Sequence, residues 1–461
     1  NDVEVTDQNG VVTLSGQVPS LLAKQRAARI AETVRGVVLV ENKLTIRPLV
    51  PRREADEIER FVEQALLNDP ATEAYQVTVA AAPDGKVTLT GRLESHAEKE
   101  LVGRVASSAR GVTAVSNDVE VEYRAGRPDS ELAADIRGLL HWDAYVEDGD
   151  IEVDVANGVA KLSGEVASAA EKRRATTLAW MAGIKELQTE ALKVTGAGRD
   201  ASTKAARADR ASDENVSAAV QRALTVNTTS KLKDLRVNVR DGVATLRGGA
   251  QSLQAKRTAE RVAMSVAGVE EVRSRIRVGG MPAVSDEQLR QRIERALASN
   301  PITESYEIDA AVDRGDVTLT GRVDSWFERG MADNVSASVK GVRAVDNHLI
   351  VANPSERLAL DPFVDDWSIH EFAWYQPSQP TIRRGDAAIA RDVRDELWWS
   401  PFVDRDDITV SVHNGVVTLS GEVDSYAESR AAIENAFEGG AAGVVNELQV
   451  ERPELTASDS D

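Results

Sequence analysis

Cysteine is absent from the 461 residues, which excludes disulfides, thiolate metal sites and cysteine nucleophiles and leaves the redox compartment open. Aromatic residues make up only 4% of the chain. The five histidines, His96, His141, His348, His370 and His413, are scattered without the spacing of a ligand set, and isolated histidines of this kind are more often structural. There is no nucleotide-binding loop, nucleophile elbow or zinc-protease signature. No apolar run approaches the roughly 20 residues that a spanning helix needs. Positive charge is scarce: 55 Lys and Arg stand against 75 Asp and Glu, a net −20, which argues against general nucleic-acid binding and favours solubility. Two acidic clusters, EDGDIEVD at 147–154 and DRDD at 404–407, do not fit the twelve-residue calcium loop and read as surface acidity. The first residue is not Met, and no charged-then-apolar leader follows, so the chain reads as a processed form or a fragment. Hydrophobic content is an ordinary 42%, enough for several packed domains at this length.

What is present is a repeat. NGVVTLSGQV at 9–18 returns as NGVVTLSGEV at 414–423. Between them lie DGKVTLTGRL (84–93), NGVAKLSGEV (157–166), DGVATLRGGA (241–250) and RGDVTLTGRV (314–323). Six copies of a unit of about seventy residues follow from this periodicity.

Each copy has the same local grammar. Asn-Gly or Asp-Gly between alternating apolar residues is a strong hairpin signal, as in Ile151, Val153 and Val155 before Asn157-Gly158. An Ala-rich helical pattern follows, for example Ala23, Ala27, Ile30 and Val34. It stops at Gly-Val: Gly36-Val37, Gly111-Val112, Gly268-Val269, Gly341-Val342 and Gly443-Val444, where Gly takes the left-handed cap. A short apolar strand closes the unit, and an amphipathic helix such as Ile58, Val62, Ala65 and Leu66 leads it. The order is α-β-β-α-β. Leu14, Leu89, Leu162, Leu246, Leu319 and Leu419 share one strand position and are expected on the inner face. The Gly two residues later is expected to let the second helix sit close to the sheet.

This pattern resembles the BON domain, named from bacterial osmotically inducible and nodulation proteins. The residues that carry it are the NGVVTLSGxV hairpin, the Ala-rich helix, the Gly-Val stop and the closing strand. The expected fold is α+β, a tandem array of six BON-like modules, each a three-stranded sheet with two helices on one face. The boundaries read 1–48 (without the leading helix), 52–124, 128–196, 212–279, 284–352 and 385–452, with a polar linker at 197–211, a Pro/aromatic insert at 353–384 and an acidic tail at 453–461. The resemblance implies a non-catalytic module, mostly of the bacterial periplasm or envelope, with several members linked to phospholipid binding or membrane integrity; a periplasmic or extracellular place in the cell envelope is expected. No cofactor is implied.

Two features depart from the repeat. The fourth unit (213–278) holds twelve Lys and Arg against seven Asp and Glu, whereas the sixth (385–450) holds four against thirteen. Lys231, Lys233, Arg236, Arg240, Arg247, Lys256, Arg257, Arg273, Arg275 and Arg277 are read either as a solvated surface or as a positive face. Such a face suits anionic lipid headgroups or an acidic unit of a neighbouring chain. The insert and its surroundings hold four of the seven Trp: Trp367, Trp374, Trp398 and Trp399, joined by Phe363, Phe372, Tyr375 and Phe402. It reads as an internal cover packed on the sixth unit, or as an anchor for a partner or membrane. The candidate binding residues are therefore Lys231, Lys233, Arg236, Arg240, Trp367, Trp374, Tyr375, Trp398 and Trp399. The expected partner is an anionic phospholipid surface or an envelope protein, reached through several weak modules acting together. The competing expectation is a homo-oligomer or fibre built by head-to-tail packing of repeats.

Overall fold

The computed structural model describes residues 3–47, 54–68, 76–122, 127–195, 212–227, 232–279, 284–300, 302–303, 307–323, 326–351, 385–423, 426–441 and 443–450. Within them are six sheets, each built by one repeat.

The fourth unit shows how the sequence writes the fold. Its leading helix, Asp213–Val226, starts at Ser212, whose hydroxyl accepts the Asn215 N–H at 3.2 Å. Asp213 and Glu214 in the first turn suit the positive end of the helix dipole. Val216, Ala219, Val220 and Leu224 fall on one helical stripe and are buried. Strands Leu232–Arg240 and Val243–Ala250 are joined by Asp241-Gly242, whose φ values of 49° and 72° place both residues in the left-handed region. That is the turn whose twist matches a two-residue hairpin. The helix Leu253–Met264 then returns the chain to the third strand, Glu271–Val278, which pairs parallel to the second. The second strand is thus central. Alternation sends Ala244, Leu246 and Ala250 inward, all buried.

The six repeated leucines are all buried, five of them completely. The helices approach the sheet closely because their inward residues are small: Ala259 and Ala263, like Ala175 and Ala179 in the third unit, have no exposed surface. The strand glycines have a different task from the one the sequence suggested. At Gly164 and Gly421, φ is 111° and 127°, and a Cβ would stand 1.8 and 1.9 Å from the carbonyl oxygens of Asp150 and Asp407. The close neighbour is the backbone entering the first strand, not the helix.

Further local differences emerge. In the sixth unit the helix cap is Gly440, with φ 99°, while Gly443 begins the last strand opposite Val416. In the second unit the loop Ala82–Gly85 is longer than a two-residue turn, and Gly85 alone has positive φ. In the first, second, third and fifth units the closing strand pairs with the central strand in two pieces, giving four-stranded sheets. Among the described residues the first unit has one helix, and its first strand is exposed throughout, with Val5 at 61%.

One device was not legible beforehand. The carboxylate of Asp386 accepts the N–H groups of Asn414 and Gly415 at 2.9 and 2.8 Å. Asp129, Asp213 and Asp286 hold the turns of their own units in the same way. Each opens a leading helix 28 residues before its turn, so the signal was a fixed spacing, not a local motif.

The units are not independent beads. The residue before a cap glycine donates its N–H to the last carbonyl of another unit's leading helix. Arg35 reaches Trp399 at 2.9 Å, Arg110 reaches Ser299 at 2.9 Å, and Ala267 reaches Trp142 at 2.8 Å. Such carbonyls have no partner within their own helix. The pairs are first with sixth, second with fifth and fourth with third, a nested order. Side chains cross as well: Leu21 enters the second unit's core, Leu253 the fifth's, and Ala170 the sixth's.

Candidate functional site

The third strand of the fourth unit brings the scattered cations of the sequence onto one surface. Arg236 pairs with Arg247, and Arg247 with Arg275, so three arginines stand in one row across all three strands. Lys233, Gly249 and Arg277 form the next row on one side, and Asn238, Thr245 and Arg273 the next on the other. Residues directly opposite on adjacent strands point to the same face. Lys233, Arg236, Arg240, Arg247, Arg273, Arg275 and Arg277 are all exposed, while Leu246, Val239 and Ile276 turn to the core. Lys231 lies outside the described residues.

Among the described residues no acidic side chain pairs with Arg236, Arg247 or Arg275. Glu271 is the one acidic residue in the third strand, and Arg273 engages it through two bonds of 2.8 and 3.0 Å. The Arg273 guanidinium holds the Glu271 carboxyl below its ordinary value. Asp234 sits, exposed, at the bulge in the first strand between Lys233 and Arg236. Like charges placed directly opposite cost stability. The arginine row therefore does not serve the sheet.

Two of the cations grouped with this face by sequence lie elsewhere. Lys256 and Arg257 sit on the helix Leu253–Met264, on the other side of the sheet. Lys256 is 3.9 Å from Glu260. Arg257 is almost fully buried and pairs with Asp333 of the fifth unit, so it joins two units.

The aromatic candidates divide. Trp367, Trp374 and Tyr375, with Phe363 and Phe372, lie outside the described residues. Trp398 and Trp399 close the sixth unit's leading helix, are 38% and 49% exposed, and meet edge to face with centroids 4.3 Å apart. Arg405 stands 5.9 Å over the Trp398 ring. This pair belongs to the contact with the first unit, through the Trp399 carbonyl, and not to the cationic sheet. Phe402 is buried against Tyr145 of the third unit, with ring centroids 6.0 Å apart. Among the described residues no group of three or more His, Asp or Glu is placed to hold a metal ion, and no helix is long and apolar enough to cross a membrane.

Comparison with known proteins agrees with this architecture. Residues 1–48, 54–123, 128–196, 212–280, 285–353 and 385–452 each match the BON domain. The chain is 30% identical over 137 residues to the osmotically-inducible protein Y of Escherichia coli, covering 28% of this chain and 67% of that protein. Two solved structures of CdsD, a structural protein of the type III secretion system of Chlamydia trachomatis, are also similar. One is 13% identical with a TM-score of 0.14, covering 49% of this chain and 94% of that one. The other, its C-terminal domain, is 12% identical with a TM-score of 0.13, covering 65% of this chain and 99% of that one. Overlaps that low say nothing of how the units are arranged. Six matched segments, each holding the hairpin, the Ala-lined helix and the parallel closing strand, place the chain in the BON domain family.

Proposed function

We propose that the chain is a non-catalytic binding protein of the bacterial envelope that attaches to anionic phospholipid surfaces through the outer face of its fourth unit. The observation that carries this reading is the row Arg236, Arg247 and Arg275 on an exposed sheet. A basic residue near an anionic membrane contributes about 1 kcal/mol. The other five units place hydroxyls or acids at the same positions: Glu4 and Ser15, Thr78 and Thr90, Glu152 and Ser163, Asp309 and Thr320, Thr409 and Ser420. Net charge of −20 does not oppose binding at this face, because charges more than about 8–10 Å away are largely screened at physiological salt. Head-to-tail growth of a fibre is less well supported, because the last carbonyls of three leading helices already accept from cap segments of the same chain.

Flotation with vesicles containing phosphatidylglycerol tests this. Binding is expected at low salt, falling as salt rises, and absent from purely zwitterionic vesicles. A variant carrying Arg236→Thr, Arg247→Ser and Arg275→Glu that floats as well as the parent refutes the assignment. Polymers that form with concentration and vanish in that variant point instead to the acidic sixth unit of a neighbouring chain.

A further inference from the structure

Residues of the first, second, fourth and fifth units line a half-open cavity of about 320 Å³. Its wall comes from the Ala-rich helices of all four and from the leading helices of the second and fifth. Four arginines line it, Arg26, Arg29, Arg104 and Arg295, and among the described residues none that lines it is acidic. That composition is unusual in a chain with 75 acidic and 55 basic residues. Phe61, Leu101, Met331, Val335 and Val339 make much of the remaining wall apolar. Gln254 also lines the cavity, and its side-chain oxygen is buried with no hydrogen-bond donor to receive. A buried acceptor left in that state is costly unless a ligand or water supplies the donor.

The contact between the third and sixth units is built differently. There Tyr145 and Phe402 meet edge to face with ring centroids 6.0 Å apart. Arg174, which corresponds to Arg26, meets the Asp143 carboxylate at 2.6 Å. Glu434 stands where Arg29 and Arg104 stand in the first and second units. Among the described residues that line the pocket, Phe61 is the one aromatic and none is acidic. Arg26, Arg29 and Arg104 each make other polar contacts with their surroundings, so an anion would join an existing network.

We infer that this cavity is a binding site for one single-chain amphiphile with an anionic head, a carboxylate or a phosphate monoester. The head would meet the guanidinium groups and the chain the apolar wall. A hydroxyl near the head would donate to Gln254. The volume sits at the low end of the ~300–1,000 Å³ range of ligand pockets and suits one short chain. The site is separate from the cationic sheet face, so the two readings fail independently.

Calorimetric titration of the full chain tests it with four probes: decanoate, decyl phosphate, decanol and inorganic phosphate. Saturable one-to-one binding is expected for decanoate or decyl phosphate, and the tighter of the two identifies the head. Decanol should bind at least tenfold more weakly, and inorganic phosphate not measurably. Replacing two ligating guanidiniums, Arg29→Gln with Arg104→Gln, should weaken the anionic probe about tenfold or more while vesicle flotation stays unchanged. Val335→Trp, which fills the cavity, should abolish binding with every arginine in place. Gln254→Leu should erase any preference for 2-hydroxydecanoate over decanoate. Equal affinity for decanol and decanoate overturns the inference, as does full binding by a folded Val335→Trp protein. If that variant does not fold, the arginine pair decides. If neither folds, the parent decides: decanoate must raise its melting temperature and decanol must not.

Discussion

On the outer face of the sheet, the fourth unit places Arg236, Arg247 and Arg275 where the sixth places Thr409, Ser420 and Glu447. On the inner face the two units carry Leu246 and Leu419 at one position, both with no exposed surface. The same backbone thus holds one face constant and varies the other. Packing explains the constancy, since interior side chains interlock at crystal-like density and tolerate little change. Nothing in the fold restricts the outer face, so a run of like charge there reflects something outside the module.

The largest effects should come from the shared face. Leu246→Ala and Leu419→Ala are each expected to destabilise their own unit by about 2–5 kcal/mol, read by hydrogen exchange within that unit. A small loss in one and a large loss in the other would show that the two inner faces are not equivalent. Next comes the face that differs. Moving the sixth unit's residues onto the fourth, with Arg236→Thr, Arg247→Ser and Arg275→Glu, removes three cations worth about 1 kcal/mol each near anionic lipid. Vesicle affinity should fall on the order of a hundredfold. The reverse transfer, Thr409→Arg, Ser420→Arg and Glu447→Arg, should create a second attachment face, and flotation that does not increase would tie binding to more than sheet charge.

A smaller effect is expected at the turns. Asp386→Ala removes bonds of 2.9 and 2.8 Å to the sixth unit's hairpin, whereas Asp213→Ala removes bonds of 2.9 and 3.4 Å from the fourth. The first should cost about 1 kcal/mol, as loss of a side-chain cap does, and the second less; the same exchange measurement ranks them. The smallest effect has the opposite sign. Arg247→Ser alone relieves repulsion from both neighbours in its row and should stabilise the fourth unit by roughly 0.2–1 kcal/mol while weakening vesicle binding. A loss of stability would show that the row serves the fold after all.

Some of this could be read in advance because its causes are local. The hairpin at Asn414-Gly415 and the buried Leu419 follow from a two-residue turn and strand alternation. The glycine two positions after Leu419 was visible as a repeated letter, but its reason lay in the carbonyl of Asp407, fourteen residues away and brought near by pairing. The cap in the sixth unit was misplaced because Gly439, Gly440 and Gly443 stand close together, and the strand pairing that occupies Gly443 is a long-range fact.

The same division holds for function. Number of modules, order of elements and inner face are all functions of neighbours within about ten residues, so a single chain states them. The alternation of Arg273, Arg275 and Arg277 already implied one charged face on one strand. That Arg275 would stand beside Arg247 and Arg236 depended on the register of two pairings. That Arg26, Arg29, Arg104 and Arg295 would line one cavity depended on the contacts of second with fifth, first with second and fourth with fifth. The contact of second with fifth rests on a helix end whose carbonyl can accept from any suitably placed N–H, and no residue in the sequence says which one arrives.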